Sequence, residues 1–239
     1  MQTLTLSECG LAKSDIEPLF TIISAAGSVT RLNLVNNNLH KLQFEKINHV
    51  PSLETLLIQD CVLTSSDIET LFRLLSVAGN VQALAIFRNN LHGLKPVDTA
   101  VPSLEDLYLD LCCLTNSDIQ PLFSLVSATG NMQFVSLRRS NVRWLKPFSV
   151  GPIPSLKAVS FVECGLITRD LNAVFHSLSS FGSVKRVSLQ GNYFYGKVSE
   201  PLAPVPSLEF LIIGLEGVAL VRDISEVDFG EKKLFLFRY

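Results

Sequence analysis

The sequence predicts an α/β solenoid: short parallel strands wound coil upon coil, with helices on alternate coils. Three observations carry that expectation. The tripeptide Pro-Ser-Leu returns at Pro51, Pro102, Pro154 and Pro206, and each return opens nearly the same stretch of about fifty residues. Within each stretch apolar residues alternate with variable ones, the pattern of a strand with one buried face. The distances between the first apolar residues of successive motifs alternate too: 28 residues from Leu53 to Val81, 23 to Leu104, 28 to Met132 and 24 to Leu156. A fixed internal period marks a repeat array, and half of the visible period is one coil.

Two motif sets interleave. The openings read PSLETLLIQDCVL, PSLEDLYLDLCCL, PSLKAVSFVECGL and PSLEFLIIGLEGV, and MQTLTLSECGL fits the same frame at the N-terminus. Between them stand SVTRLNLVNNNL, NVQALAIFRNNL, NMQFVSLRRSNV and SVKRVSLQGNYF, in which an Asn follows the strand and Ser140 replaces it once. These residues and lengths resemble the leucine-rich repeat family, in its ribonuclease-inhibitor-like class, from Met1 to about Val218. The resemblance implies a curved horseshoe with a parallel sheet on its concave face and helices on alternate coils of the convex face. It also implies a single domain over 1–239, of about nine coils with alternating 28- and 23/24-residue lengths and an irregular C-terminal unit at 217–239.

Each element has a local reason. In the strand at 55–59, Leu56 and Ile58 point inward while Thr55, Leu57 and Gln59 point outward. The long coils continue into segments such as SDIETLFRLLSVAG, where Ile68, Leu71, Phe72 and Leu75 form one helical stripe. Ser14, Ser66 and Ser117 stand at the helix starts, Glu17 and Glu69 complete a Ser-x-x-Glu box, and Gly27, Gly79, Gly130 and Gly182 close the helices. Pro18 and Pro121 fit the first turn best with Asp15 and Asp118 as the caps. Short coils carry proline-rich segments such as LKPVDTAVP, which favour extended or turn structure. One coil alone buries too little to fold, so stability is shared along the stack and both ends need covering. The chain is either part of a longer array or capped by the tail after Gly217, with Leu234 and Leu236 adding a final strand.

Composition narrows the function. Twenty basic and twenty-two acidic residues give a net charge of −2 with no run of like charges, so nucleic acid and anionic membrane are not expected partners. The most apolar stretch, FLIIGLEGVALV, is too short to span a bilayer, and no basic-then-apolar leader opens the sequence. Cys9, Cys61, Cys112 and Cys164 share one repeat position two coils apart, about 9–10 Å between Cα atoms, beyond the reach of a disulfide. They are expected as buried thiols donating to carbonyls where the strand turns, the role of Asn37, Asn89 and Asn192 on alternate coils. Five unpaired thiols suit the cytoplasm.

No motif for a nucleophile, metal or phosphate appears: GxxxxGK[ST], GxSxG, CxxC and HExxH are all absent. No cofactor, metal or small-molecule substrate is therefore expected, and the chain is read as noncatalytic. His40 and His92 share a repeat position on the rim, and the aligned Asp15, Asp67, Asp118 and Asp170 fall at helix starts, where capping explains them. Trp144, the only tryptophan, occupies the place of Lys41 and Gly93 and is assigned to packing on the convex side.

In this family the outward strand residues form the surface available to a partner. On the central coils they include Leu57, Phe87, Tyr108 and Phe134, accompanied by Asp60, Arg88, Asp110, Arg138, Arg139 and Glu163. Aromatics beside arginines compose interface hot spots. The competing explanation is a solvated sheet with Asp60–Arg88 and Arg139–Glu163 ion pairs and aromatics covering one another. The leading expectation is a protein-interaction module that binds a protein partner through these ten residues. Three alternatives stand beside it: the substrate-recognition arm of a ubiquitin-ligase adaptor, a GTPase-activating regulator similar to the Ran-activating protein, acting through Arg143, and an array that stacks end to end.

Overall fold

The computed structural model describes residues 2–97, 99–195, 198, 201–213 and 234–235. The strands are β1 (Gln2–Ser7), β2 (Val29–Val35), β3 (Thr55–Gln59), β4 (Ala83–Phe87), β5 (Asp106–Asp110), β6 (Phe134–Arg138), β7 (Ala158–Val162), β8 (Arg186–Ser188), β9 (Phe210–Ile212) and β10 (Leu234–Phe235). They form one parallel sheet whose spatial order follows the chain from β1 to β10. That order is a solenoid, since every strand pairs only with the strands of the coils before and after it.

The register keeps the repeat. Leu32, Leu56, Leu84, Leu107, Val135, Val159, Val187 and Leu211 are successive partners across the sheet, and all are buried. A slip of one residue would turn this apolar row to solvent, which is why the alternating pattern specifies the pairing. Leu234 pairs with Leu211 in β10, as the sequence suggested, while Leu236 and the segment 214–233 lie outside the described residues.

Helices α1 (Ile16–Ala26), α2 (Ile68–Ala78), α3 (Asn116–Thr129) and α4 (Asp170–Phe181) follow β1, β3, β5 and β7, so they occupy alternate coils. Their buried faces meet the inner side of the sheet, where Phe123 lies 5.1 Å from Phe148, 5.2 Å from Phe181 and 6.3 Å from Phe161 between ring centroids. Gly27, Gly79 and Gly182 end three of the helices in the left-handed conformation.

The caps differ from the expected Ser-x-x-Glu boxes. The reciprocal pairs are Thr64 with Asp67 and Thr115 with Asp118, two residues earlier. Asp67 Oδ2 accepts the Thr64 N–H at 2.9 Å, and Asp118 Oδ2 accepts that of Thr115 at 2.8 Å. Ser66 and Ser117 instead bond the Thr64 and Thr115 hydroxyls. An aspartate reaches back three residues as well as a glutamate does, and its shorter side chain stays buried.

The recurring Pro-Ser-Leu is a turn. Leu53 N–H donates to Val50 O, Leu104 to Val101, Leu156 to Ile153 and Leu208 to Val205, at 2.9–3.1 Å. Proline at the second position pre-sets the backbone of such a turn, and the apolar residues at both ends anchor it in the core.

Candidate protein-binding surface

The outer sheet face presents the variable strand positions in columns. Tyr108 stands between Ala85 and Ser136, and Phe134 between Asp106 and Ala158. The two rings meet edge to face, with centroids 5.4 Å apart and planes at 67°. Tyr108 Oη donates to Asp106 Oδ2 at 3.4 Å, and burial together with the Asp106 charge pushes the phenol pKa up. Leu57 lies on β3 between Asn33 and Ala85, and Phe87 on β4 between Gln59 and Asp110. Among the described residues the aromatic contact on this face is the Tyr108–Phe134 pair, and Phe87 stands apart from it.

Beyond the strand ends the charged residues pair across coils. Arg88 Nη1 lies 3.8 Å from Asp60 Oδ2, as one expected pair proposed. The other exchanges partners: Arg139 forks onto Asp110, its Nε donating at 2.8 Å, and Glu163 receives Arg138 Nη2 at 2.9 Å. The reason is register. Arg138 is the last strand residue and Arg139 the first beyond it; on the preceding coil the residue matching Arg139 is the apolar Leu111, and the carboxylate that Arg139 meets there is Asp110 at the end of β5.

A cleft of about 920 Å³ opens beside Phe134 and extends past the expected patch. Its floor is small: Ala158, Ser160 and Ser188. Phe134 forms one wall, and the other is Phe210, over which the Arg186 guanidinium lies 5.3 Å from the ring centroid. Lys185 at the margin is paired to Glu209 at 2.7 Å. Reading the sequence for large side chains missed this groove, because small residues create it. The available signal was the run of small outward positions on β7 and β8, bounded by Phe134 and Phe210.

The turn after each strand is held by a ladder of side chains. Asn89 Oδ1 accepts the Cys61 and Leu63 N–H groups, while its Nδ2 donates to Ile58 O and Phe87 O. Asn37 and Asn192 repeat the arrangement. Cys61, Cys112 and Cys164 donate their thiols to carbonyls of their own coil and of the preceding one. Burial pushes the Cys112 and Cys164 thiols up to about 12.

The next rim is built on the aspartates. Asp118 is 1% exposed; it accepts Gly93 and Leu94 N–H from the preceding coil and lies 3.0 Å from His92 Nδ1. Asp67 and Asp170 likewise bind Leu42 and Leu145 N–H. Capping is therefore half of their role, and clamping consecutive coils is the other half. Burial alone would raise Asp118, but the His92 contact and the Thr115 and Gly93 donors hold its carboxyl below the usual value. Trp144 departs from expectation: it is 51% exposed rather than packed, and Arg143 and Arg169 stack over its ring. Among the described residues no group of three or more His, Cys, Asp or Glu side chains could hold a metal ion. No helix among them is long and apolar enough to cross a membrane.

Alternating coils, an asparagine and cysteine ladder and a sequentially ordered parallel sheet fit a leucine-rich repeat protein of the ribonuclease-inhibitor-like class. The chain is similar to the ribonuclease inhibitor of Mus musculus, with 26% identity over 211 residues, covering 80% of this chain and 46% of the relative. It thus spans about half the length of that curated relative. No family model matches the chain.

Proposed function

We propose that the chain is a noncatalytic interaction module that binds a protein partner on its concave sheet face. The observation that carries this is the groove from Phe134 to Phe210, with Phe134, held edge to face by Tyr108, as one wall, an arginine-backed ring as the other and a floor of small residues. Such a slot accepts an apolar or aromatic side chain and shields it from water, the composition of an interface hot spot. Asp106, Lys157 and the Lys185–Glu209 pair form its polar margin, and the ion pairs of Asp60, Arg88, Asp110, Arg138, Arg139 and Glu163 beyond the strand ends, with Leu57 and Phe87, extend the surface toward the N-terminal coils.

The mouse relative is named for inhibiting a ribonuclease, which supports a protein as the partner class. The GTPase-activating alternative rests on Arg143, whose guanidinium lies against Trp144, so the sheet-face reading is better supported. The single domain of about nine coils and the cytoplasmic setting belong to the same proposal, the latter on five free thiols.

The test is affinity capture from native lysate, comparing the wild-type chain with a Tyr108→Ala, Phe134→Ala variant of unchanged circular dichroism. A protein held by the wild type and lost by the variant is the expected result. Identical captured sets would overturn the sheet-face assignment.

A further inference from the structure

Trp144 is built into the rim in a way that packing does not explain. Its backbone sits at φ 65°, the left-handed region, where the corresponding positions of other coils carry Lys41 at φ 57° and Gly93 at φ 85°. A bulky residue there is strained, and half of the indole faces solvent, so little burial offsets the strain. The loop is nevertheless fixed from both sides. Asn116 Nδ2 donates to the carbonyls of Arg143 and Trp144, both at 3.2 Å, and Leu145 N–H is held by the buried Asp170.

Two cations share the indole. The Arg143 guanidinium carbon is 5.0 Å from the ring centroid and that of Arg169 is 5.4 Å away. On two other coils the residue at the place of Arg143 is a histidine facing the next helix-start aspartate: His40 with Asp67 at 3.7 Å and His92 with Asp118 at 3.0 Å. Arg143 breaks that pattern by turning onto Trp144 instead. Asp170, the matching aspartate, has its oxygens on the Leu145 and Ile167 N–H groups. No carboxylate among the described residues forms an ion pair with Arg143 or Arg169. The platform continues onto the next coil, where Tyr195, 53% exposed, is clasped by N–H and C=O to the Thr168 hydroxyl at 2.7 and 2.6 Å.

From this arrangement we infer that Arg143, Trp144, Arg169 and Tyr195 form a second docking surface, separate from the sheet face, that takes an acidic segment of a protein. Two guanidiniums crowded on one ring repel each other, and partner carboxylates relieve that repulsion through bidentate bonds. The ring holds both forks in place before binding and offers the partner's apolar side chains an exposed face. A nucleic acid is disfavoured, because backbone tracking needs an extended basic groove and the chain has a net charge of −2.

The sole tryptophan is the reporter. Its emission in the full chain is titrated at low salt with a Glu-rich peptide carrying one central leucine, and in parallel with a Lys-rich peptide and oligo-dT. The acidic peptide is expected to change the emission saturably, weakening as salt rises. The apparent Kd should rise at least tenfold in Arg143→Ala, Arg169→Ala and less in Arg143→Lys, Arg169→Lys, while Tyr108→Ala, Phe134→Ala leaves it unchanged. A flat titration, equal affinity in the double alanine variant, or tighter binding of either control ligand would overturn the proposal. Because the sheet-face variant serves as a control, this surface and the groove stand or fall separately.

Discussion

Asn89 accepts the backbone N–H of Cys61 on its Oδ1 at 3.1 Å, joining two residues 28 positions apart in the chain. The same amide donates to Ile58 and Phe87 carbonyls, so one side chain satisfies four backbone contacts of two coils. Buried polar groups without partners are costly, and the ladder is how a tight turn at the edge of the core avoids that cost.

The ladder has one weak rung. Ser140 stands where Asn37, Asn89 and Asn192 stand, its hydroxyl is buried without a hydrogen-bond partner, and it reaches neither Cys112 nor Leu114 N–H. A cleft lined by Ser140, Leu114 and Arg139 leaves room there. Ser140→Asn should restore both acceptor bonds and stabilise the chain by about 1–2 kcal/mol. A urea midpoint that falls or stays put would contradict this.

Val62 offers a second gain. It lies at φ 60° and is 56% exposed, at the position held by Gly10 and Gly165 in equivalent coils. Relief of a β-branched residue from the left-handed region, less the entropy cost of glycine, predicts a gain of about 1 kcal/mol for Val62→Gly. Thermal unfolding of the single variant is sufficient to test it.

The thiols should divide two to three. Cys9 and Cys113 are exposed, whereas Cys61, Cys112 and Cys164 are buried, with burial raising each of their pKa values. A thiol reagent at neutral pH should label the first two in the native chain and all five after denaturation. Rapid native labelling at Cys112 or Cys164 would show that the ladder opens.

Asp118 links stability to acid. Its folded pKa lies below the unfolded value of about 3.9, so the unfolded chain binds the proton more readily. Its contribution is full above that value and is lost as pH falls through the folded pKa. Asp118→Asn should cost about 1–3 kcal/mol at neutral pH, because donors from two coils lose a charged acceptor, and should flatten the acid limb of the stability curve. Equal acid limbs in variant and wild type would remove Asp118 from that role.

Removing the edge-to-face pair should separate binding from folding. Tyr108→Ala, Phe134→Ala is expected to cost about 0.5–1.5 kcal/mol of stability for the ring contact, with unchanged circular dichroism. Its loss of partner capture would then report the surface and not the scaffold.

Local and periodic features were legible in the sequence. The buried row from Leu32 to Leu211 and the helices on alternate coils follow from spacing alone, because a repeating apolar pattern has one register that buries it. The glycine helix ends were equally readable, since the left-handed residue is a local requirement. The caps were less so: Thr64 and Thr115 compete with Ser66 and Ser117 two residues away, and the choice depends on how the preceding coil presents its N–H groups to Asp67 and Asp118.

Contacts between coils were decided by the tertiary structure. Arg139 pairs with Asp110 while Glu163 takes Arg138, and Trp144 stays exposed under Arg143 of its own coil and Arg169 of the next. The groove between Phe134 and Phe210 exists only when β6 to β9 lie side by side with Ala158 and the serines as its floor. Periodicity along the chain determines which residues are inside, since burial is a property of each coil. Which outward residues meet depends on the stacking of side chains 23–29 positions apart, and that geometry is set by the assembled sheet.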